Sequence, residues 1–297
     1  MDNHNKVQLK DHLDFQDEVI NIIHGNQYVE LMKYTNFALC NLMCHHLVGR
    51  LFENKNATVI KYVIDNMYCR AIDDEYELIH HLIYHNTDIN LIKYVFEKYH
   101  LDLEINTHRR SKPIHIACAC RSLKVIKLLI KNGVNIESEN NDKTRPIHFS
   151  CQRKNYCHQQ QLYDDDNLSV KIIKFLISCG VDLESKDIHG DTPLHFACRF
   201  ESIKIIDFLV ECGVNLEVTN NNRWKPIHIA CRYGSIEKIK YMLSKNVNLD
   251  SRVNEPKGEY DIIDLLMKRD NLTPENKTEL IDIISKKIES VTVNDIN

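Results

Sequence analysis

One phrase is written four times along this chain, and its spacing restricts the possible folds more than any other feature. It runs KPIHIAC at 112–118, RPIHFSC at 145–151, TPLHFAC at 192–198 and KPIHIAC again at 225–231. The prolines at 113, 146, 193 and 226 stand 33, 47 and 33 residues apart, and the middle interval is 33 plus an insertion of 14. A period of this size marks repeated supersecondary units, none of which can bury its apolar face alone. Other positions return in the same register. Ten residues after the proline come Leu123, Ile203 and Ile236, then the pairs Val125–Ile126, Ile205–Ile206 and Lys238–Ile239. Twenty residues after it stand Gly133, Gly213 and Asn246, and the second copy resumes past its insertion with Ile172–Ile173 and ends at Gly180.

Each unit reads as turn, helix, short link, helix, turn. Proline in the first helical turn costs no hydrogen bond, because its N–H would be an orphan there. The run LKVIKLLIKNG at 123–133 carries a broad apolar stripe at helical spacing. Gly133, Gly180 and Gly213 fall where a helix takes a left-handed C-terminal residue, and Asn246 is the next-best choice for that role. VNIE, VDLE, VNLE and VNLD then lead into the next unit.

The composition fits a folded, water-soluble chain: 43% of the 297 residues are hydrophobic and 27% are charged. A net charge of −4 is too mild to point to nucleic acid or a membrane surface. The polar, acidic start MDNHNKVQLKDHLDFQ is not expected to act as a targeting peptide, and no apolar run approaches the roughly 20 residues of a membrane span. The expected location is the cytosol or the nucleus. Eleven cysteines, an odd number without a close CxxC pair, argue against both a disulfide framework and a structural zinc site.

The most complete unit, DIHGDTPLHFACRFESIKIIDFLVECGVNLE at 187–217, resembles the ankyrin-repeat family and carries its phrase D-x-x-G-x-T-P-L-H-x-A. The resemblance implies an all-α solenoid, with antiparallel helix pairs stacked in an arc and hairpin fingers projecting to one side. Four clear units occupy 107–250, with the insertion inside 152–167, and a degenerate unit at 75–106 extends the array to 75–258. Residues 1–74 are expected to form an N-terminal helical cap with further degenerate repeats, and 259–297 capping helices at the other end. Abundant Asn and Ile with little Ala resemble the drift of an AT-rich genome, and the chain is similar to ankyrin-repeat proteins of large DNA viruses. A viral source would place it in host cytoplasm.

Two departures from the family phrase stand out. Thr before the proline survives only as Thr192, and the other copies carry Lys112, Arg145 and Lys225. The finger glycine survives only as Gly190, against Arg110, Lys143 and Arg223 elsewhere. Those turns are expected to be less regular, and the fingertips to form a positive row.

Candidates for chemistry have repeat explanations. His115, His148, His195 and His228 share one position, so a periodic structural role accounts for all four, and the resemblance implies that each bonds the backbone of the finger turn. Cys118, Cys151, Cys198 and Cys231 share another position, as do Cys179 and Cys212, and small thiols suit tight helix interfaces. CNLMCHH at 40–46 places Cys40 and Cys44 one helical turn apart beside His45 and His46, but no second ligand pair has zinc spacing. Cys157 and His158 in the insertion, with Cys151, make an equally unsupported set. No phosphate-cradling, nucleophile-elbow or zinc-protease motif occurs, so no enzyme activity, cofactor or metal is expected.

The resemblance implies protein binding through the fingers and the concave face of the first helices. The positions expected to make contact are Arg110, Lys112, Lys143, Arg145, Arg199, Phe200, Arg223, Trp224, Lys225, Arg232 and Tyr233, with Trp224 exposed on a fingertip. Arg, Tyr and Trp dominate interface hot spots. The expected partner is a protein with an extended acidic segment and apolar anchors, bound by a monomer. A first alternative is a substrate-recruiting adaptor of a ubiquitin ligase, which needs docking helices within 1–66 or 259–297. A second is a zinc- or redox-active protein using the Cys and His residues.

Overall fold

The computed structural model describes residues 56–67, 75–85, 88–106, 110–152, 166–200, 203–249, 252–255 and 258–294. Thirteen helices and one two-stranded hairpin lie among them. They fall into two compact units.

The first unit holds α1 (Ala57–Met67), α2 (Glu75–Tyr84), α3 (Ile89–Tyr99), α4 (Pro113–Ala119) and α5 (Leu123–Lys131). Here the first helices α2 and α4 pack together, as do the second helices α3 and α5. Ile79, Leu82, Ile92, Val95, Ile114, Ala117, Ile126 and Leu129 fill the space between the columns. Asp65 on α1 is a polar hub. It accepts from the hydroxyls of Tyr94 (2.8 Å) and Tyr99 (2.7 Å) and from Lys98 Nζ (2.8 Å).

The second unit holds α6 (Pro146–Ser150), α7 (Asp166–Ser178), α8 (Pro193–Arg199), α9 (Ile203–Glu211), α10 (Pro226–Tyr233), α11 (Ile236–Ser244), α12 (Ile262–Met267) and α13 (Pro274–Asn294). First helices α6, α8, α10 and α12 form one column, and second helices α7, α9, α11 and α13 the other. This is the all-α stack of helix pairs that the period implies. The hairpin of β1 (Val253–Glu255) and β2 (Gly258–Tyr260) is an addition the sequence reading did not contain; its register pairs Val253 with Tyr260 and Glu255 with Gly258. It shifts the start of α12. Asp261, which aligns with His228, is the N-cap, and its carboxylate accepts from the backbone N–H of Asp264 at 2.8 Å.

The repeated phrase folds for local reasons. The residue before each proline, Lys112, Arg145, Thr192 or Lys225, is extended, and proline begins the helix. The backbone N–H of that preceding residue donates to Nδ1 of the histidine three residues on, at 2.9 Å for His115, 3.2 Å for His148, 3.1 Å for His195 and 2.9 Å for His228. The other ring nitrogen reaches the next repeat: His148 Nε2 to the Ser185 carbonyl at 3.1 Å and His195 Nε2 to the Trp224 carbonyl at 2.9 Å. Both therefore sit as the neutral tautomer with hydrogen on Nε2. Burial pushes the His148 pKa down to about 4, against the opposing pull of the Ser185 carbonyl, and lowers that of His195 as well.

Gly133, Gly180 and Gly213 are left-handed, at φ 83, 90 and 81, and end their helices as expected. Asn246 does not. Here α11 stops at Ser244 and Lys245 is extended, while Lys287 Nζ from α13 donates to the carbonyls of Leu243 and Lys245. A cation replaces the left-handed residue. The finger turns are also more regular than the missing glycines imply: Arg110, Lys143 and Arg223 hold φ of 53, 54 and 64, beside 79 for Gly190. An Asx side chain organises three of these turns. Asn140 Oδ1 accepts from the N–H groups of Asp142 and Thr144, Asp187 Oδ1 from those of His189 and Asp191, and Asn220 Oδ1 from those of Asn222 and Trp224.

Candidate interaction surface

Arg199, Phe200, Arg232 and Tyr233 stand at or just beyond the C-terminal ends of α8 and α10, neighbours in the first-helix column. The structure brings most of this set together around one ring. Tyr233 is 46% exposed, with the guanidinium of Arg199 5.0 Å and that of Arg232 5.6 Å from its centre. Both distances fall within cation–π range. Phe200 tilts on Phe196 at 6.2 Å, and Phe196 meets the edge of His148 at 5.1 Å.

Trp224 corrects an expectation. It is only 6% exposed, and its ring stacks on Tyr233 at 6.2 Å and 24°. The turn places residue 224 at the root of the finger, beneath a tyrosine nine residues later, so the indole supports the surface from below.

The positive row is corrected too. Three of its members, half-buried Lys112 and Arg145 and buried Lys225, are already paired with a carboxylate. Lys112 pairs with Glu104, Arg145 with Glu137 at 2.6 Å and Glu139 at 3.1 Å, and Lys225 with Glu217 at 2.7 Å. Glutamates that follow the second helices also tie one repeat to the next. Glu137, Glu184 and Glu217 accept the backbone N–H of Asp182 (2.9 Å), Asn215 (2.7 Å) and Asn248 (2.8 Å). At Glu137 and Glu217 the cation that replaced Thr before the proline, Arg145 or Lys225, completes this clamp. Arg110, Lys143 and Arg223 remain exposed at the turns, Arg223 at 3.4 Å from Glu259.

Successive fingers are joined by backbone bonds. The N–H of Ile188 donates to the Asp142 carbonyl at 2.8 Å, and that of Asn221 to the His189 carbonyl at 2.9 Å. Gly190 is required twice over, since an added Cβ would stand 2.6 Å from Asn221 Oδ1 and 2.8 Å from its backbone nitrogen.

The thiols divide by position. Cys118, Cys151, Cys198 and Cys231 are buried, and burial pushes Cys198 up to about 12 and Cys231 upward as well, so neither supplies a thiolate. Cys179 is half-buried and Cys212 is exposed, so the interface explanation does not extend to Cys212. Among the described residues, no three His, Cys, Asp or Glu side chains converge on a metal-sized site. CNLMCHH at 40–46 and the Cys157–His158 pair lie outside the described residues. Among those described, no helix is long and apolar enough to cross a membrane.

Residues 67–166 and 162–253 match the family model described as ankyrin repeats (3 copies). These segments make up more than half of the chain, and the protein belongs to the ankyrin-repeat family. No curated protein matches it. Among solved structures, a chain of the complex between the Bd0816 predatory endopeptidase from Bdellovibrio bacteriovorus and immunity protein Bd3460 is similar. It is 19% identical with a TM-score of 0.52, over 70% of this chain and 97% of that one. At that identity the likeness shows the fold alone. Ankyrin repeats are protein–protein interaction modules.

Proposed function

We propose that this chain is a non-enzymatic interaction scaffold whose partner docks on the face carrying Arg199, Phe200, Arg232 and Tyr233, with the adjoining fingers. The observation that carries this reading is Tyr233, exposed to 46% and flanked by two guanidinium groups at 5.0 and 5.6 Å. A guanidinium's planar donors match a carboxylate bidentately, and Arg199 is exposed at this face. The ring between the two guanidinium groups offers a flat apolar anchor, so the favoured partner is a protein presenting an extended acidic segment with apolar side chains. The exposed Arg110, Lys143 and Arg223 add basic character along the fingers. Lys112, Arg145, Lys225 and Trp224 act indirectly, by fixing the fingers and backing Tyr233. The solved complex containing a similar fold is consistent with use of such a stack for docking.

Affinity capture with the wild-type chain, Tyr233→Ala and Arg199→Glu tests the proposal. Proteins retained by wild type should be lost with Tyr233→Ala, and with Arg199→Glu should associate slowly. An identical retained set with all three chains would move the interface elsewhere.

A further inference from the structure

Two buried cations lie directly beneath the face. Lys238 on α11 is 0% exposed, and its ammonium donates to the Cys198 carbonyl at 2.9 Å. Arg269, just past α12, is also buried. Its Nη1 donates to the carbonyls of Cys231 at 3.1 Å and Gly234 at 2.6 Å, and its Nε to Asn271 Oδ1 at 3.0 Å. Every repeat carbonyl in this set adjoins a face residue in sequence: Cys198 precedes Arg199, Cys231 precedes Arg232, and Gly234 follows Tyr233. The surroundings are shaped for the lysine. A Cβ added to Gly234 would stand 3.2 Å from Lys238 Cδ and 2.6 Å from the Ala230 carbonyl.

The fold does not demand a cation at the position of Lys238. The positions equivalent to Lys238 are Val125 and Ile205, both buried and apolar. Burying an ammonium is costly unless it is hydrogen-bonded, and an isoleucine would fill the same space at no such cost. The acceptors chosen are carbonyls at helix C-termini, where the helix dipole favours a positive charge. Burial and, to a lesser degree, the charge of Arg232 lower the Arg269 pKa.

We infer that Lys238 and Arg269 are positioning residues of the binding face that also make it select anionic segments. They fix the ends of α8 and α10, setting Arg199, Arg232 and Tyr233 in one array, and they form the buried layer of a two-layer positive field. Exposed Arg199 is screened by salt, whereas the buried pair is screened far less. The inference rests on the reading of this face as the partner site.

The test uses the full chain and two immobilised peptide panels, one alternating Asp or Glu with Tyr or Leu, the other with Lys replacing every acid. Wild type should bind the acidic panel alone and keep part of that binding at high salt. Lys238→Ile installs the residue of the third repeat, so its thermal midpoint should equal or exceed wild type. Its affinity for the acidic panel should nevertheless fall by about tenfold or more, with the remainder abolished by salt. Arg269→Met should act in the same direction, and Lys238→Arg should preserve binding. A Lys238→Ile chain that binds as wild type does, or one that simply unfolds, overturns the inference. If Tyr233→Ala leaves peptide binding unchanged, or wild type binds both panels alike, the reading of the face itself fails.

Discussion

Lys143, Gly190 and Arg223 share a left-handed backbone, but only Gly190 also lacks room for a Cβ. An L-residue held in that region costs about 1–2 kcal/mol. Glycine in turn gives up about 0.5–1 kcal/mol in unfolded-chain entropy. Lys143→Gly is therefore expected to stabilise the protein by a few tenths of a kcal/mol up to about 1. Gly190→Lys should cost about 2 kcal/mol or more, because its Cβ would meet Asn221 at 2.6 Å and force the fingers apart. Urea unfolding of the two variants reads the difference, and shifts of the same sign would refute the argument. The need for a left-handed residue was legible in the clearest copy, through Gly190. What hid it elsewhere is that an Asx oxygen and an i to i+3 backbone bond can hold Lys143 and Arg223 there. Trp224 was misread for a related reason. Its neighbours in sequence are polar, and the ring that covers it, Tyr233, belongs to the far end of the next helix.

Between elements, glutamates that follow the second helices clamp one repeat to the next. Glu217 shows the design: one oxygen accepts the Asn248 N–H at 2.8 Å, while the other meets Lys225 Nζ at 2.7 Å. Glu184 makes the same backbone bond without a cation, since Thr192 stands where the others carry Lys or Arg. Removing Glu217 takes the acceptor from the Asn248 N–H and the carboxylate from the buried Lys225 ammonium, which keeps the Asn248 carbonyl at 3.3 Å. We expect Glu217→Ala to cost about 1–2 kcal/mol. Thr in place of Lys225 should recover part of that loss, as at Thr192. A double-mutant cycle with Lys225→Thr should show positive coupling, and strict additivity would mean that the ion pair contributes nothing. The helix pairs, their order and their period were all legible in the sequence. The clamp was legible in principle, because Lys112, Arg145 and Lys225 each follow a glutamate by eight residues. It was read as surface charge instead, since spacing of eight is not a helical or strand neighbour distance. Lys238 was concealed more thoroughly. It occupies an apolar column position, and its acceptor at Cys198 lies 40 residues away.

Across the whole molecule, the repeat multiplies a single pH-sensitive bond. His148 and His195 are buried as neutral rings, with Nδ1 accepting and Nε2 donating, so a proton on Nδ1 would break the bond that starts the helix. Burial sets the His148 pKa at about 4, below its ordinary 6.5, and lowers His195 in the same direction. The sign follows from proton counting. Between those values the unfolded chain binds more protons than the folded one, so stability is fully present above 6.5 and is lost as pH falls toward 4. At about 1.4 kcal/mol for each pH unit, His148 alone accounts for a loss of about 3 kcal/mol. Carboxylates contribute elsewhere in the range. Asp65, lowered despite its burial by Lys98, Tyr99 and Tyr94, adds acid sensitivity below its ordinary 3.8, whereas the raised Asp187 opposes it. The expected outcome is a urea midpoint that is level from pH 8 to about 7 and falls steeply from about 6 to 4. His148→Gln should lower the plateau at neutral pH, where its weaker fit costs stability, yet flatten the slope below 6. A parallel pH profile in the variant would assign the acid lability to the carboxylates instead.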